Sequence, residues 1–293
     1  MNFRDLEYVV AVADLRSFSD AAEQCCVSQP TLSAQIKKLE TILGAKLFER
    51  TNKRVMPTEF GVQVAQSARR VLNEVETIRS IASAAKDPMA GRYRIGAFPT
   101  LASYLFPDLV PYVKAVAPRL RMILVEEKSE NLLEMLLHGQ LDAAFLAAPV
   151  MDDHVYAEHL FNDPFYLAAS DENSLSKRKK VNLGALSDQE VLLLEEGHCL
   201  RDQALDICNL MGVSEDVDFR ATSLETLRQM VRADSGVTLV PEVAIRESDD
   251  GIKYIPFNDK TLYRSIALVR RKTCARTGVF EMICDAVMKT RSA

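Results

Sequence analysis

Near the N-terminus, apolar residues recur at helical spacing in short runs. Leu6, Val9, Val10 and Ala13 share one face of a first helix. Ser19-Asp20 starts a second through Ala21-Ala22-Glu23-Gln24-Cys25, and after the turn Cys26-Val27-Ser28 a third begins near Gln29-Pro30. Proline is tolerated there because the N–H groups of a first helical turn have no partners within the helix. Leu32, Ile36 and Leu39 face the core, and Leu43 closes the run before Gly44. Two short helices joined by a tight turn fit a helix-turn-helix, whose second helix enters the major groove of DNA.

The polar positions of that second helix leave two readings. Ser28, Gln29, Thr31, Ser33 and Gln35 lie on its early, solvent-facing side, and such short polar groups bond base edges or phosphates. A merely solvated face has the same pattern. Charge adds little, because residues 1–60 carry eight basic and eight acidic side chains. Lys46, Arg50, Lys53 and Arg54 are nevertheless gathered in nine positions, around Asn52 and against the single Glu49. They suggest a hairpin wing that grips phosphates, with a solvated loop as the alternative.

Residues 58–86 contain no Gly or Pro after Gly61 and read as one long helix, which Asp87-Pro88-Met89-Ala90-Gly91 breaks. Its Val64, Ala68, Val71, Val75, Ile78, Ala82 and Ala85 form a heptad seam. The seam either pairs with a twin helix or packs onto its own domain. From Arg92 on, strands alternate with helices. Tyr93–Ala97, Arg121–Val125, Leu141–Leu146, Val191–Leu194 and Val237–Pro241 read as strands. Helices start at Ser129, which caps a run to Leu137 before Gly139, at Leu200 and at Ser223. The alternation predicts α/β units on largely parallel sheets.

At 293 residues the chain is long enough for two or more folded units, and its 48% hydrophobic and 26% charged content is that of an ordinary globular protein. No apolar run reaches the ~18 residues that span a bilayer. Met1-Asn2-Phe3-Arg4-Asp5 has neither the basic nor the apolar region of a secretory signal, so a cytoplasmic location is expected. A net charge of −5 excludes a protein basic throughout but leaves room for a local basic surface. The six cysteines, Cys25, Cys26, Cys199, Cys208, Cys274 and Cys284, fit a reducing compartment in which any bridge is transient and redox-sensing. None has Cys-x-x-Cys spacing, so neither a zinc site nor any other metal or cofactor is expected.

Ala21-Ala22, Val27-Ser28-Gln29-Pro30-Thr31-Leu32-Ser33, Ile36, Leu39-Glu40, Leu43-Gly44, Leu47-Phe48-Glu49-Arg50 and Pro57-Thr58-Glu59-Phe60-Gly61, in that order, resemble the N-terminal signature of LysR-type transcriptional regulators. The resemblance implies a winged helix-turn-helix over 1–58, a linker helix for dimerisation over 59–87 and a regulatory domain over 88–293. That domain resembles periplasmic binding proteins, with subdomain I over 92–161 and 266–293 and subdomain II over 162–265. DNA contacts then fall to Ser28, Gln29, Pro30, Thr31, Ser33, Gln35, Lys37, Lys38, Arg50, Thr51, Lys53 and Arg54. A dimer matches double-stranded DNA of approximate two-fold symmetry, and the family implies a homotetramer, a dimer of dimers. RNA polymerase is a further implied partner. Most members hold a small inducer in the cleft between subdomains.

Gly197-His198-Cys199-Leu200-Arg201-Asp202-Gln203-Ala204, with Cys208 beyond, resembles the redox segment of the peroxide-sensing branch of that family, as does Arg220-Ala221-Thr222-Ser223-Leu224-Glu225-Thr226-Leu227. The chemistry agrees. A thiolate attacks peroxide, and Cys199 stands at a helix start between His198 and Arg201, where positive charge favours the anion. Attack gives a sulfenic acid, which a second thiol resolves to a disulfide. In one helix, nine steps of ~1.5 Å hold the Cα atoms of residues 199 and 208 ~13.5 Å apart, on opposite faces. A disulfide needs them within roughly 7 Å, so bridging has to unwind or displace the segment. The resemblance adds Thr100, Ser129 and Arg264 to His198 and Arg201 as a pocket for hydrogen peroxide. Asp218 departs from a His common in the branch, and the added carboxylate either slows thiolate formation or retunes reactivity, so the branch's sensitivity is not carried over. The other four cysteines read as small apolar fillers. Three functions remain to be told apart: a peroxide-sensing regulator, an inducer-binding regulator, and a thiol peroxidase or disulfide reductase. The absence of a recycling motif argues against an enzyme. Resetting implies a thiol reductant of the glutaredoxin or thioredoxin kind.

Overall fold

The computed structural model describes residues 1–50, 55–84, 87, 89–195, 200, 201, 203, 205, 215–246 and 250–291, the side chains of 50, 76, 77, 80, 81, 83, 84, 215–220 and 291 excepted. The chain forms two units, Met1–Ser83 and Ala84–Ala293, with His138–Gln140 grouped with the first.

In the first unit, α1 (Phe3–Leu15) opens on a reciprocal cap in which the Asn2 side chain accepts from the Asp5 N–H and Asp5 accepts from the Asn2 N–H. Helix α2 (Phe18–Gln24) starts before the expected Ser19-Asp20, because Ser17 is extended and its hydroxyl takes the Asp20 N–H at 3.3 Å. Helix α3 (Gln29–Leu43) has Pro30 in its first turn and ends on Gly44 at φ 73°, in the left-handed region that glycine adopts freely. Leu32, Ile36 and Leu39 are buried with Val9, Val12, Phe18, Leu47 and Phe48. Each such side chain contributes about 1.5–3 kcal/mol. Strands β1 (Phe48–Arg50) and β2 (Val55–Pro57) pair antiparallel, and α4 (Glu59–Ala84) follows.

Gly61 lies where α4 crosses the hairpin. A Cβ there would sit 2.0 Å from the Leu47 carbonyl oxygen, which also accepts the Thr58 N–H at 2.9 Å. Both contacts involve backbone and neither yields to a rotamer change. On the seam, Ala68 is buried, whereas Val71 (47%) and Ile78 (64%) are exposed in the single chain.

The second unit begins with β3 (Gly91–Ala97), α5 (Pro99–Val116), β4 (Leu120–Glu126), α6 (Ser129–Leu137) and β5 (Ala143–Ala148). Helix α5 runs through Pro107 and Pro111, residues that usually end a helix, and holds its course because Leu101, Ala102, Leu105, Leu109 and Val113 are buried along one side. Strand β6 (Val155–Ser170) is 16 residues long, and β7 (Val191–Leu194), β8 (Glu215–Ala221), α7 (Leu224–Arg232), β9 (Thr238–Pro241), β10 (Ile252–Pro256), β11 (Tyr263–Arg271) and α8 (Thr277–Arg291) follow.

β3 is parallel to both β4 and β5, and β7 is parallel to β8, as the alternation predicts. The rest departs from a largely parallel sheet. β11 is antiparallel to β5 and to the first part of β6, while the last part of β6 is antiparallel to β10 and β9. The departure follows from the path of the chain. One strand leaves the first hydrophobic cluster and another returns to it, so the two run in opposite directions side by side. Residues 162 and 266, where the resemblance puts the crossings, lie within β6 and β11. Among the described residues no helix is long and apolar enough to cross a membrane.

Gly61→Ala should lower the stability of the first unit by at least about 2 kcal/mol, the cost of overpacking against rigid backbone. Thermal unfolding followed by circular dichroism measures this, and an unchanged midpoint would refute the close approach.

Candidate functional site

The face of α3 is built from its cap outward. Ser28 is extended, its hydroxyl takes the Thr31 N–H at 3.3 Å, and it shares a 2.7 Å hydrogen bond with the Thr31 hydroxyl. Gln29, Pro30, Thr31, Lys37 and Lys38 are exposed, while Ser33 and Gln35 are half-buried beside the Leu32–Ile36–Leu39 ridge. The face is thus continuous and polar on a rigidly packed helix. Lys46, one of the clustered cations, is held at 3.2 Å by buried Glu40, which also accepts the Leu47 N–H at 2.9 Å. Its charge serves the join between α3 and the hairpin. Thr51, Lys53 and Arg54 lie outside the described residues, as does the side chain of Arg50.

The second constellation is centred on Arg264, whose side chain is fully buried. Its Nε donates to Asp163 Oδ2 at 2.9 Å, Nη1 to the Thr100 hydroxyl at 2.8 Å and Nη2 to the Thr100 carbonyl at 3.0 Å. The guanidinium also stacks 5.1 Å from the Phe98 ring centre. Asp163 is its register partner across β6 and β11, and its second oxygen accepts the Val243 N–H at 3.0 Å. The sequence does not single out Asp163, since only the pairing of β6 with β11 sets it opposite Arg264.

Arginine has only donors. The Thr100 oxygen therefore accepts from Arg264, and its own proton has no acceptor among the described residues. Helix α6 begins at Ser129 itself, so the expected capping role is not seen, and its buried Oγ has no hydrogen-bond partner among the described residues. The structure thus brings Thr100 and Arg264 together, and leaves the Thr100 proton and the Ser129 hydroxyl each without a partner among the described residues.

Arg201 is buried and helical, and its Nη1 donates to the Leu194 carbonyl at 3.0 Å, tying that turn to the end of β7. Leu200 beside it is buried in the second hydrophobic cluster. His198, Cys199 and Cys208 lie outside the described residues, and Asp218 falls in β8 with its side chain outside them.

Two of the other thiols are chemically quiet. Burial pushes Cys284 up to about 12, helped by Glu158, Asp285 and Glu281. Desolvation, Glu7 and Cys26 raise Cys25. Among the described residues no group of three or more His, Cys, Asp or Glu side chains is placed to hold a metal ion.

Comparison with known proteins adds the following. The family model for the LysR substrate binding domain matches residues 86–289, and that for the bacterial regulatory helix-turn-helix protein, lysR family, matches residues 3–62. The chain is 43% identical over 289 residues to the hydrogen peroxide-inducible genes activator of Dickeya chrysanthemi, covering 98% of this chain and 95% of that one. It is similar to full-length OxyR from Pseudomonas aeruginosa, solved as a cysteine-to-aspartate variant, with a TM-score of 0.79, 34% identity and 98% and 94% of the two chains covered. A hydrogen peroxide-bound variant of Corynebacterium glutamicum OxyR has a TM-score of 0.68 and 30% identity, with 99% and 92% covered.

Asp163→Ala should destabilise the second unit by about 3–5 kcal/mol, because it leaves the Arg264 guanidinium buried without its counter-charge. Denaturant unfolding of the purified protein measures the loss. Cys284 should resist iodoacetamide at pH 7 in the folded protein and react fully once unfolded, as read by peptide mass spectrometry.

Proposed function

The chain belongs to the LysR family of DNA-binding transcription regulators, and from that premise we propose that it senses hydrogen peroxide through Cys199 and Cys208 and carries the signal to promoters of antioxidant genes. The observation that carries this reading is the hydrogen bonding of Thr100. Arg264 donates to one lone pair of its hydroxyl, which leaves the proton for whatever enters beside it. Ser129 offers a second buried hydroxyl. A peroxide molecule has two acceptor oxygens and two protons, and an unpaired hydroxyl of this kind suits it without adding a charge. Hydrogen peroxide is also named in the relatives' descriptions.

In this reading the Cys199 thiolate attacks one peroxide oxygen and the O–O bond breaks. The other oxygen leaves as hydroxide and takes a proton to become water, while Thr100 donates a hydrogen bond to the oxygen that gains charge. Cys199 is then a sulfenic acid. The Cys208 thiolate attacks its sulfur, hydroxide leaves and is protonated, and a disulfide remains. Two thiols have lost two electrons and one peroxide has become two waters. A dithiol reductant of the thioredoxin or glutaredoxin class reverses the change, so one signal event consumes one peroxide and no turnover is needed. His198 and Arg201 support the thiolate, Arg201 through the turn it fixes on β7.

DNA is read by Ser28, Gln29, Pro30, Thr31, Ser33, Gln35, Lys37 and Lys38 on α3 and by Arg50, Thr51, Lys53 and Arg54 on the hairpin. Assembly as a dimer of dimers takes two surfaces. The exposed Val71 and Ile78 of the α4 seam supply one. The groove of α5 and edge strand β4, lined by Val110, Val113, Leu120, Met122 and Leu124 with Lys114 and Arg121 among them, supplies the other. The protein works in the cytoplasm, where thiols are kept reduced between signals and RNA polymerase is at hand.

Peptide mass spectrometry with free thiols blocked, before and after about one equivalent of peroxide, tests the reading. The expected result is a Cys199–Cys208 cross-link that appears with peroxide and vanishes with reductant. Thr100→Val should slow its formation at least 10-fold, the loss for one missing hydrogen bond in the transition state. If both thiols stay free while the protein still binds DNA, a small-molecule inducer in the inter-subdomain cleft becomes the better account.

A further inference from the structure

Ser174–Lys177 forms a short 3-10 turn in the second unit, and the cations Lys177, Arg178, Lys179 and Lys180 follow one another from its end. All four are exposed. The segment is nevertheless anchored on both sides. Asn173 caps the turn by accepting the Leu175 N–H at 2.9 Å, the Arg178 N–H returns to the Leu175 carbonyl at 2.9 Å, and Leu175 is buried. Beyond the run, Val181 is buried, its N–H donates to the Pro256 carbonyl at 3.1 Å and its carbonyl accepts the Asn258 N–H at 2.8 Å. Four adjacent positive charges are thereby held on a fixed backbone.

Their surroundings do not neutralise them. No ion pair joins any of the four to a described carboxylate. Asp171 is paired with Lys253 at 3.6 Å, and Asp259 is turned to the Thr261 N–H and hydroxyl at 2.8 and 2.7 Å. The exposed Lys260 adds a further cation close by in sequence to Asn258. In a chain of net charge −5, this is a local positive surface that the sensor chemistry does not use. Holding like charges together on an ordered segment is unfavourable in the free protein, and a polyanion relieves it.

We propose that residues 177–180 form an accessory contact for the DNA phosphate backbone, separate from the α3 face and the hairpin. The run contains no aromatic or apolar side chain of the kind that anchors a protein partner. Its chemistry is that of charge alone, which suits phosphates and reads no sequence. DNA is also the polyanion that this chain already binds. Once the helix-turn-helix is engaged, a second weak contact from the same chain becomes an intramolecular event at an effective concentration in the millimolar range. The contact would raise affinity for any sequence flanking the specific site and would weaken steeply with salt.

The test compares the full-length protein with the quadruple variant Lys177→Gln, Arg178→Gln, Lys179→Gln, Lys180→Gln on a duplex carrying the specific site with long flanks, across a range of salt concentrations. A control, Lys272→Gln with Lys289→Gln, removes exposed charge elsewhere on the second unit. Since each lost phosphate contact removes about 0.9 from the slope of log affinity against log salt, the quadruple variant should show a slope shallower by up to about 3.6 per protomer. Its affinity should be at least 10-fold lower at low salt and converge with the parent at high salt, while the control keeps the parent slope. Thermal unfolding checks that the exposed substitutions leave the fold intact. An unchanged slope overturns the proposal. So does a control that loses as much per charge, because net charge alone would then be the cause. A variant that binds DNA as the parent does but activates transcription less also overturns it, and would assign the run to an acidic protein surface.

Discussion

The second unit depends on one buried ion pair, Arg264 with Asp163. It stands where the two long strands that link the hydrophobic clusters lie side by side, and each partner reaches beyond its own strand. Arg264 holds both the hydroxyl and the carbonyl of Thr100 at the start of α5, and Asp163 holds the backbone of Val243. A buried pair of this kind is a weak source of net stability, because removing two charges from water costs nearly as much as their attraction returns. What it supplies is definition. A guanidinium with fixed planar donors admits few alternatives once Asp163 and Thr100 are in place, so the position of the Thr100 hydroxyl follows from the crossing of the strands.

The thiols show the same principle from the opposite side. Cys284 sits on α8 among Glu158, Glu281 and Asp285, where burial and negative charge both oppose ionisation. Peroxide reacts with thiolate, so a protein with six cysteines directs oxidation as much by disabling some thiols as by activating others. The surroundings that the sequence leads one to expect for Cys199, with His198 and Arg201 close by in the chain, have the reverse character.

Much of this was legible in the sequence because it rests on local rules. The turn and cap around Ser28, the Gly44 stop, the buried ridge of α3 and the long uninterrupted α4 follow from spacing and from the residue types at helix ends. α5 was harder, since Pro107 and Pro111 speak against a helix whose burial overrides them. The antiparallel ladders were not legible, because strand direction depends on where the chain returns and not on any local pattern. For the same reason Thr100 and Arg264 were named through a resemblance, while Asp163, 101 positions from its partner, was missed. Lys46 fell in a basic cluster by sequence and on Glu40 in space.

The arrangement around Leu200 and Arg201 bears on how a disulfide would be reversed. These residues lie on the connection between the parallel strands β7 and β8, with Leu200 in the core and Arg201 on the Leu194 carbonyl. On the proposed reading, a bridge between residues 199 and 208 that displaced this turn would disturb those anchors. Exposing one leucine costs about 2 kcal/mol and losing one charged hydrogen bond about 2 more. On that reading the anchors make the bridge easier to reduce. In the proposed switch their packing in the second hydrophobic cluster would serve reversibility as Arg264 would serve reactivity, by fixing one state from which departure is costly.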